Sequence, residues 1–409
     1  MKRKLLKQML NEWRSNIWIV LELVIVVLVL QLVFGILFSI FQMKKSALDA
    51  DTDDIYMADV NFLNEESDGY VPYDSAHSAA TDLEMLIAGL RAGQYVEKIG
   101  YGTTNAVPYQ YNFWGNNISL PGNDGKSFFI NQRGVSPEVM EVYGLHGSRG
   151  ETPRQLADML RKGYVLLSET EIQMSENGTR AADFAGKDAE IQNNPPEAIH
   201  VGAIVPIMRR SDYEPAYSGT LYTPVGADEA RCIILRVKPG TGNKFLESLT
   251  VADQQSGNIY LTNFASLSDK RDVCQMDATR LIRSITVCAL FMLAMIFMGF
   301  LGTFWFRTQQ RVPEIAIRKV NGATDRDIYA RFFAEGLILL AVAVTVAMPL
   351  TVWMVKNLDE VMDLPFDSLA IVAASVFAVT LMALLIVAGI YAPARKAAAV
   401  SAAEAMKDM

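Results

Sequence analysis

The sequence predicts a membrane α-helical protein with four transmembrane helices, plus an α+β domain outside the bilayer. Three observations predict it. Segments 17–41, 281–306, 332–355 and 369–391 are apolar, and each exceeds the roughly 20 residues that cross a hydrocarbon core. The long interval 42–280 instead mixes short β-type apolar runs with helical stripes and is large enough for its own core. Finally, 51% of the 409 residues are hydrophobic and the mean hydropathy is +0.18, which argues against a soluble cytosolic protein.

At the start, Leu5, Leu6, Met9, Leu10 and Trp13 recur at helical spacing among Lys7, Gln8, Asn11, Glu12 and Arg14. Residues 1–16 therefore read as a cytoplasmic amphipathic helix (4–16) on the inner membrane face, with Trp13 and Trp18 at the interface. The first span, 17–41, is longer than a signal-peptide core of about 7–15 residues, and no small-x-small cleavage site follows. It reads as an uncleaved anchor.

Within 42–280, residues 49–54 form an acidic extended entry. Leu83, Leu86, Ile87 and Leu90 mark a helix over 79–92, and 136–142, 153–161 and 243–249 are further helices, with Thr152 capping the second of these. Runs at 164–167, 198–207 and 230–237 read as strands, 101–129 as strands and turns, and 253–255 as a turn. Corners are expected near 192–196 and 239–243. The mixture suggests two subdomains.

Loop charges set the orientation. Lys2, Arg3, Lys4, Lys7 and Arg14 precede the first span, and Arg307, Arg311, Arg318, Lys319, Arg326 and Arg331 separate the second from the third. The loop at 356–368 holds Lys356 with Asp359, Glu360, Asp363 and Asp367. The positive-inside rule then puts both termini, the 307–331 loop and the 392–409 tail in the cytoplasm, with 42–280 and 356–368 outside. Residues 44–280 hold 21 Lys and Arg against 33 Asp and Glu, so the overall charge of −8 comes from the outer domain and nothing supports nucleic-acid binding.

The 307–331 loop contains the most informative stretch, 311–324. Pro313 suits a first helical position, Glu314 the first turn, and Arg318 and Lys319 the last. Asn321-Gly322 supplies a left-handed stop, and Thr324 with Asp327 makes a capping-box-like start for the next helix. A capped amphipathic helix between two spans suits docking of a cytoplasmic partner. An interfacial turn of no wider function fits the same residues.

Inside the membrane, Gly299 and Gly302 on the second span, Ala343 and Ala347 on the third, and Ala383, Ala388 and Gly389 on the fourth permit close helix approach, within a bundle or between two copies. Lipid-facing small residues are the competing reading. Met292, Met295 and Met298 suggest adaptable packing rather than a metal path. Glu22 and Glu335 are candidate intramembrane polar groups. Glu22 fits snorkelling or a structural hydrogen bond as well as a proton or substrate role, and Glu335 can pair with Arg331 four residues earlier.

Catalytic patterns are missing from the sequence. Gly122-Asn123-Asp124-Gly125-Lys126-Ser127 has two residues between its glycines where a phosphate loop needs four, so a turn is expected. No Ser/His/Asp set, convincing carboxylate pair or dinucleotide fingerprint emerges, so the chain is expected not to be an enzyme. His77, His146 and His200 are scattered, and no metal site is expected. Cys232 and Cys274 lie on the oxidising side, where a bridge and two free thiols both fit.

The segment reads Arg311-x-x-Glu314-Ile315-Ala316-Ile317-Arg318-Lys319-x-x-Gly322-Ala323, Glu335 follows on the next helix, and the tail runs Pro393-Ala394-Arg395-Lys396-Ala397-Ala398 through Glu404-Ala405-Met406. With one span, a large outer domain and three more spans, this resembles the MacB/FtsX-like ABC transporter permeases, type VII, of the mechanotransmission type. Tyr164–Glu169, His200–Val205 and Ile233–Gly240 are similar to strands of the MacB-type periplasmic core domain. Pro313 stands where the family is usually basic and Ala316 where it usually has Gly, and residues 51–150 show little that matches.

The resemblance implies a permease subunit of the bacterial inner membrane, paired with a second permease copy in a homodimer or related heterodimer. It also implies a separate P-loop ABC ATPase below, which binds ATP and Mg, so this chain binds no cofactor itself. Pro313, Glu314, Ile315, Ala316, Ile317, Arg318, Lys319, Val320 and Gly322 would form the ATPase-coupling segment. Membrane lipid and an envelope or outer-membrane partner are the other contacts implied. Two outputs fit: export or extraction of an envelope substrate, and non-transporting control of a partner such as a cell-wall hydrolase.

Overall fold

The computed structural model describes residues 13–45, 52–74, 77–109, 114–120, 127–169, 180–193, 195–208, 211–213, 219–310, 312–362 and 368–399. The chain divides into a helical unit, Met1–Gln42 with Thr279–Met409, and an α+β unit, Met43–Ala278. The helices are α1 (Trp13–Lys45), α2 (Ala79–Ala92), α3 (Val139–Tyr143), α4 (Pro153–Arg161), α5 (Gly242–Ser248), α6 (Val251–Gln254), α7 (Leu267–Cys274), α8 (Met276–Gln310), α9 (Val312–Val320), α10 (Asp325–Met362) and α11 (Ser368–Ala399).

The strands are β1 (Ile55–Phe62), β2 (Val96–Gly102), β3 (Trp114–Ser119), β4 (Phe128–Val135), β5 (Val165–Ser168), β6 (Asp188–Ile191), β7 (Glu197–Val205), β8 (Gly219–Pro224), β9 (Cys232–Val237), β10 (Gln255–Ser256) and β11 (Ile259–Ser266). They form one sheet in the order β10-β11-β1-β9-β2-β4-β3-β6-β7-β5-β8. Among the described residues, β2 meets β4 only where Gly102 faces Val135. Beyond that seam β8 returns to pair in parallel with β4, so six strands close on themselves and satisfy their edges internally. The expected pair of subdomains is therefore two halves of a continuous sheet within one compact unit.

In the open half β9 and the first part of β1 are buried on both faces, and their continuous apolar runs conceal a period of two. In β9, Cys232 and Ile234 join a core with Val139, Met140, Leu156 and Leu160 of α3 and α4. Ile233, Leu235 and Val237 point the other way, into a core with Leu83, Leu86 and Leu90 of α2. β1 divides likewise: Ile55 and Met57 go to the first core, Tyr56, Ala58 and Val60 to the second. Gly100 of β2 lets α3 lie directly on the sheet, since a Cβ there would sit 2.8 Å from Val139 Cγ2. The closed half has its own core of Ile118, Ile130, Val165, Leu167, Val201 and Leu221 around Phe184.

Local capping follows the sequence. Thr152 and Gln155 form a full capping box on α4, and Ser78 Oγ accepts from Thr81 N at 3.2 Å to start α2. Other expectations change. Residues 253–255 are not a turn: they are the end of α6 and the start of β10. The helix expected at 136–142 begins at Val139, because Ser136 Oγ is engaged by Tyr101 N at 3.1 Å. The glycine-rich 122–126 stretch lies outside the described residues, as do residues 1–12 of the amphipathic segment and the tail from 400.

None of the three cysteines is in a disulfide. Cys232 does not bridge to Cys274, because its sulfur is turned to the Thr103 carbonyl at 3.2 Å within the core. Burial pushes that thiol up to about 12.

Among the described residues four helices are long and apolar enough to cross a membrane, with candidate spans Asn16–Gln42, Met276–Thr303, Asp325–Asn357 and Leu369–Tyr391. Leu23, Val27 and Leu30 of α1 pack with Leu339, Leu340, Ala343 and Ala347 of α10 and with Ala378, Met382, Ile386 and Ile390 of α11. Ala343 and Ala347 are fully buried, as their small-xxx-small spacing predicts. The glycines of α8 behave differently. Gly299 is exposed with only Glu22 Oε1 near a Cβ position, at 3.6 Å, and Gly302 has nothing within 4 Å. Met292, Leu293 and Ile296 of α8 pack against the shared core, but only 6% of its apolar window is buried, against 33% for each other span.

Candidate functional site

Helix α9 covers Val312–Val320, with Glu314 in its first turn and Arg318 and Lys319 in its last. Its stop is a Schellman motif. The Ala323 N–H donates to the Arg318 carbonyl at 3.0 Å and the Gly322 N–H to the Lys319 carbonyl at 2.9 Å. Gly322 takes φ +87°, which a side chain would oppose. The chain then restarts at once: Asp327 N donates to Thr324 Oγ1 at 3.3 Å, and Thr324 N donates back to Asp327 Oδ2 at 3.0 Å.

This tight double cap fixes the direction of α9, and three side chains fix its face. Ile315 is buried in the core shared by α1, α10 and α11. Glu314 Oε1 accepts from Arg318 Nη2 at 2.6 Å within the helix and lies 3.5 Å from Arg331 Nη2 of α10. Lys319 Nζ stands 2.9 Å from Asp325 Oδ1 across the turn. On the following helices, Tyr329 stacks on Tyr391 at 6.2 Å and lies near-parallel to Phe333.

With that face occupied, the opposite one is free of the chain's own core. Pro313, Ile317 and Val320 fall at i, i+4 and i+7, one stripe of the helix, and all three are exposed; Ile317 is 56% and Val320 61% accessible. An apolar stripe turned outward on a helix held from behind is an arrangement for contact with another body.

The sequence-predicted residues thus separate into roles. Ile315, Glu314 and Lys319 anchor α9, Gly322 ends it, and Pro313, Ile317 and Val320 face outward. Ala316 lies on the same helix. Arg318 is half-buried on the Glu314 pair. Glu335 is buried on α10, while Glu22 is exposed on α1, at the one atom that approaches Gly299. Those two carboxylates are not brought to the α9 stripe.

Sequence reasoning missed two participants. Arg331 ties Glu314 to α10 although seventeen residues separate them, and no local pattern announces that pairing. Gln31 is 2% accessible in the middle of α1. Its Nε2 donates to Ser375 Oγ at 3.2 Å on α11, and its Oε1 accepts from Thr351 Oγ1 at 2.5 Å on α10. A lone amide inside an apolar span was the signal available for it.

Residues 286–401 match the model described as the FtsX-like permease C-terminal domain. They include α9 with both its caps and most of the last three spanning helices. Over these residues the helical unit is similar to an FtsX-like permease, in line with the resemblance carried by Arg311 to Ala323. Of solved structures, one similar in part is the "Crystal structure of the extracellular domain of noncanonic ABC-type transporter YknZ from Gram-positive bacteria". It is 11% identical over 51% of this chain and 100% of that chain, with a TM-score of 0.31, a likeness too slight to argue from. No curated protein matches the sequence.

Proposed function

We propose that this chain is the permease subunit of an ABC transporter that couples ATP hydrolysis on a separate ATPase to movement of its α+β unit on the far side of the membrane, by mechanotransmission. The output is export or extraction of an envelope substrate. The observation that carries the reading is α9: an apolar stripe of Pro313, Ile317 and Val320 faces out while Ile315 and the Glu314–Arg331 pair tie the helix to α10. A push on the stripe is then delivered to a spanning helix, not absorbed by a loop. The ATP and Mg belong to the partner. A second permease copy, an inner-membrane location with both termini inside and an α+β unit of MacB periplasmic-core type complete the proposal.

The test is copurification. The full chain, solubilised with its P-loop ATPase coexpressed, is expected to retain that ATPase. The Ile317→Asp, Val320→Asp double variant is expected to insert normally and lose it, since two carboxylates cannot occupy an apolar contact without desolvation. Retention of the ATPase by the double variant would remove α9 from the interface, and failure of the wild-type chain to hold any ATPase would end the proposal.

A further inference from the structure

At the seam of the sheet, where β2 passes to β4, the α+β unit carries an open cleft of about 380 Å³. That volume falls within the roughly 300–1,000 Å³ of small-molecule sites. Trp114 forms one wall. It is the first residue of β3, opposite Gln132 of β4, and is 76% accessible. Its indole offers a flat, solvent-facing aromatic surface on which a ligand can stack.

The rest of the lining sets the hydrogen-bonding side chains of Thr103, Thr104, Asn105, Gln132 and Thr223 among apolar surface that includes Val225. A network of bonds holds this floor in place. Thr103 Oγ1 donates to Asn105 Oδ1 at 2.6 Å and accepts from Gly134 N at 3.2 Å. Gln132 Oε1 accepts from Asn116 Nδ2 at 2.8 Å, and its Nε2 lies 3.4 Å from Thr223 Oγ1. Thr104, Gln132 and Thr223 line the cleft, Thr104 is exposed, and the hydroxyls and amide have hydrogen-bonding capacity beyond the bonds named. Such pre-positioned groups avoid much of the ordering cost of binding.

Charge narrows the class of ligand. One cation, Arg231, and one anion, Glu229, line the rim. Arg231 Nη1 is already committed to the Asp228 and Ala230 carbonyls at 3.2 and 2.8 Å, and its guanidinium lies over the Phe62 ring. An anionic ligand would meet Glu229 with little free positive charge to offset it. A lipid chain would be left largely in water by so open a cleft. A ligand with one flat apolar face and a girdle of groups that both donate and accept fits both walls, and a pyranose ring has that form.

We propose that this cleft binds a neutral oligosaccharide, with one sugar ring stacked on the Trp114 indole and its hydroxyls bonded to Thr104, Gln132 and Thr223. The proposal is independent of whether α9 docks an ATPase, because it concerns the α+β unit alone.

The test uses the full chain in lipid nanodiscs, free of sugar-headed detergent, titrated calorimetrically with maltotetraose and with N,N′,N″,N‴-tetraacetylchitotetraose. Saturable binding of at least one is expected. Trp114→Ala is expected to weaken it at least tenfold, Trp114→Phe to retain part of it, and Thr223→Val to weaken it severalfold, with unfolding temperatures unchanged because Trp114 is a surface residue. Absence of saturable binding by both sugars, or binding indifferent to Trp114→Ala, overturns the proposal. So does binding of a proline-rich peptide, but of neither sugar, that depends on Trp114.

Discussion

The two units of this chain bury polar side chains by different routes. In the α+β unit several are turned to backbone, while Asp212 and Asp82 meet the side chains of Arg271 and His77. Arg133 Nη2 donates to the Met208 carbonyl at 3.1 Å, Ser168 Oγ accepts from Thr220 N at 2.7 Å, and Asn258 holds both the N–H and the carbonyl of Val71. Irregular connections around a sheet leave backbone groups that need partners, and side chains supply them. In the helical unit the backbone is satisfied within each helix, and the buried Gln31 amide finds the side chains of Thr351 and Ser375. The first unit depends on a two-faced core laced to its loops, the second on close shape with a polar hub at Gln31.

The largest expected effect breaks the core side of that contrast. Ile234→Ala in β9 removes a side chain buried between α3, α4 and the sheet and should cost about 2–5 kcal/mol, read from chemical unfolding of the full chain followed by proteolysis within 43–278. A loss well under 1 kcal/mol would show that this core is not what holds the unit.

A pH titration separates the units next. Cys232 lies in the α+β core, and its thiol, ordinarily near 9.0, is pushed up to about 12 by burial. Between those values the unfolded chain has released the proton and the folded chain retains it, so stability is intact below pH 9 and falls as pH rises toward 12. The slope approaches about 1.4 kcal/mol per pH unit. Cys232→Ala should flatten that fall in the α+β unit, and an unchanged slope would refute burial as its cause.

A smaller effect is expected from the membrane hub. Gln31→Leu should destabilise the helical unit by about 0.6 kcal/mol and no more than about 1.7, measured by unfolding in bicelles, because unfolded spans also find polar partners. A loss above about 3 kcal/mol would mean that the hub, not shape, holds α1, α10 and α11 together.

The smallest concerns the surface pair Glu138–Arg161, 3.0 Å apart, which joins the start of α3 to the end of α4. Burial pushes the Glu138 carboxyl up, but the Arg161 hydrogen bond and charge outweigh it and leave the group below its ordinary value. The pair's contribution is therefore present above the ordinary carboxylate range and lost as pH falls through the lowered one. Arg161→Met should cost under about 1 kcal/mol near neutral pH and nothing in strong acid. An equal cost at both would make the contribution one of packing.

How much was legible in the sequence follows the range of the interactions. The α9 stop and restart use residues at most five apart, so Asn321-Gly322 and Thr324 with Asp327 declared them, as Thr152 declared the start of α4. The strands β1, β8 and β11 were not anticipated: Ile55–Phe62 pairs with segments near 232–236 and 259–266, and nothing local in 55–62 names those partners. The site was half legible. Its helix and caps could be read directly, but which side faces outward required Ile315 to be seen in the core of α1, α10 and α11 and Glu314 against Arg331.

The sequence by itself determined the four apolar spans, the charge asymmetry of the loops, the capped α9 segment and its family motif, because hydropathy and capping are properties of neighbouring residues. Only the tertiary structure decided that Gly299 and Gly302 lie off the shared helical core while Ala343 and Ala347 lie in it. It also decided that six strands close at the Gly102–Val135 seam and that Trp114 stands open beside it. Both outcomes depend on which surfaces meet across distant chain segments, and each pattern of small, aromatic or branched residues is compatible with several such meetings until the whole chain is packed.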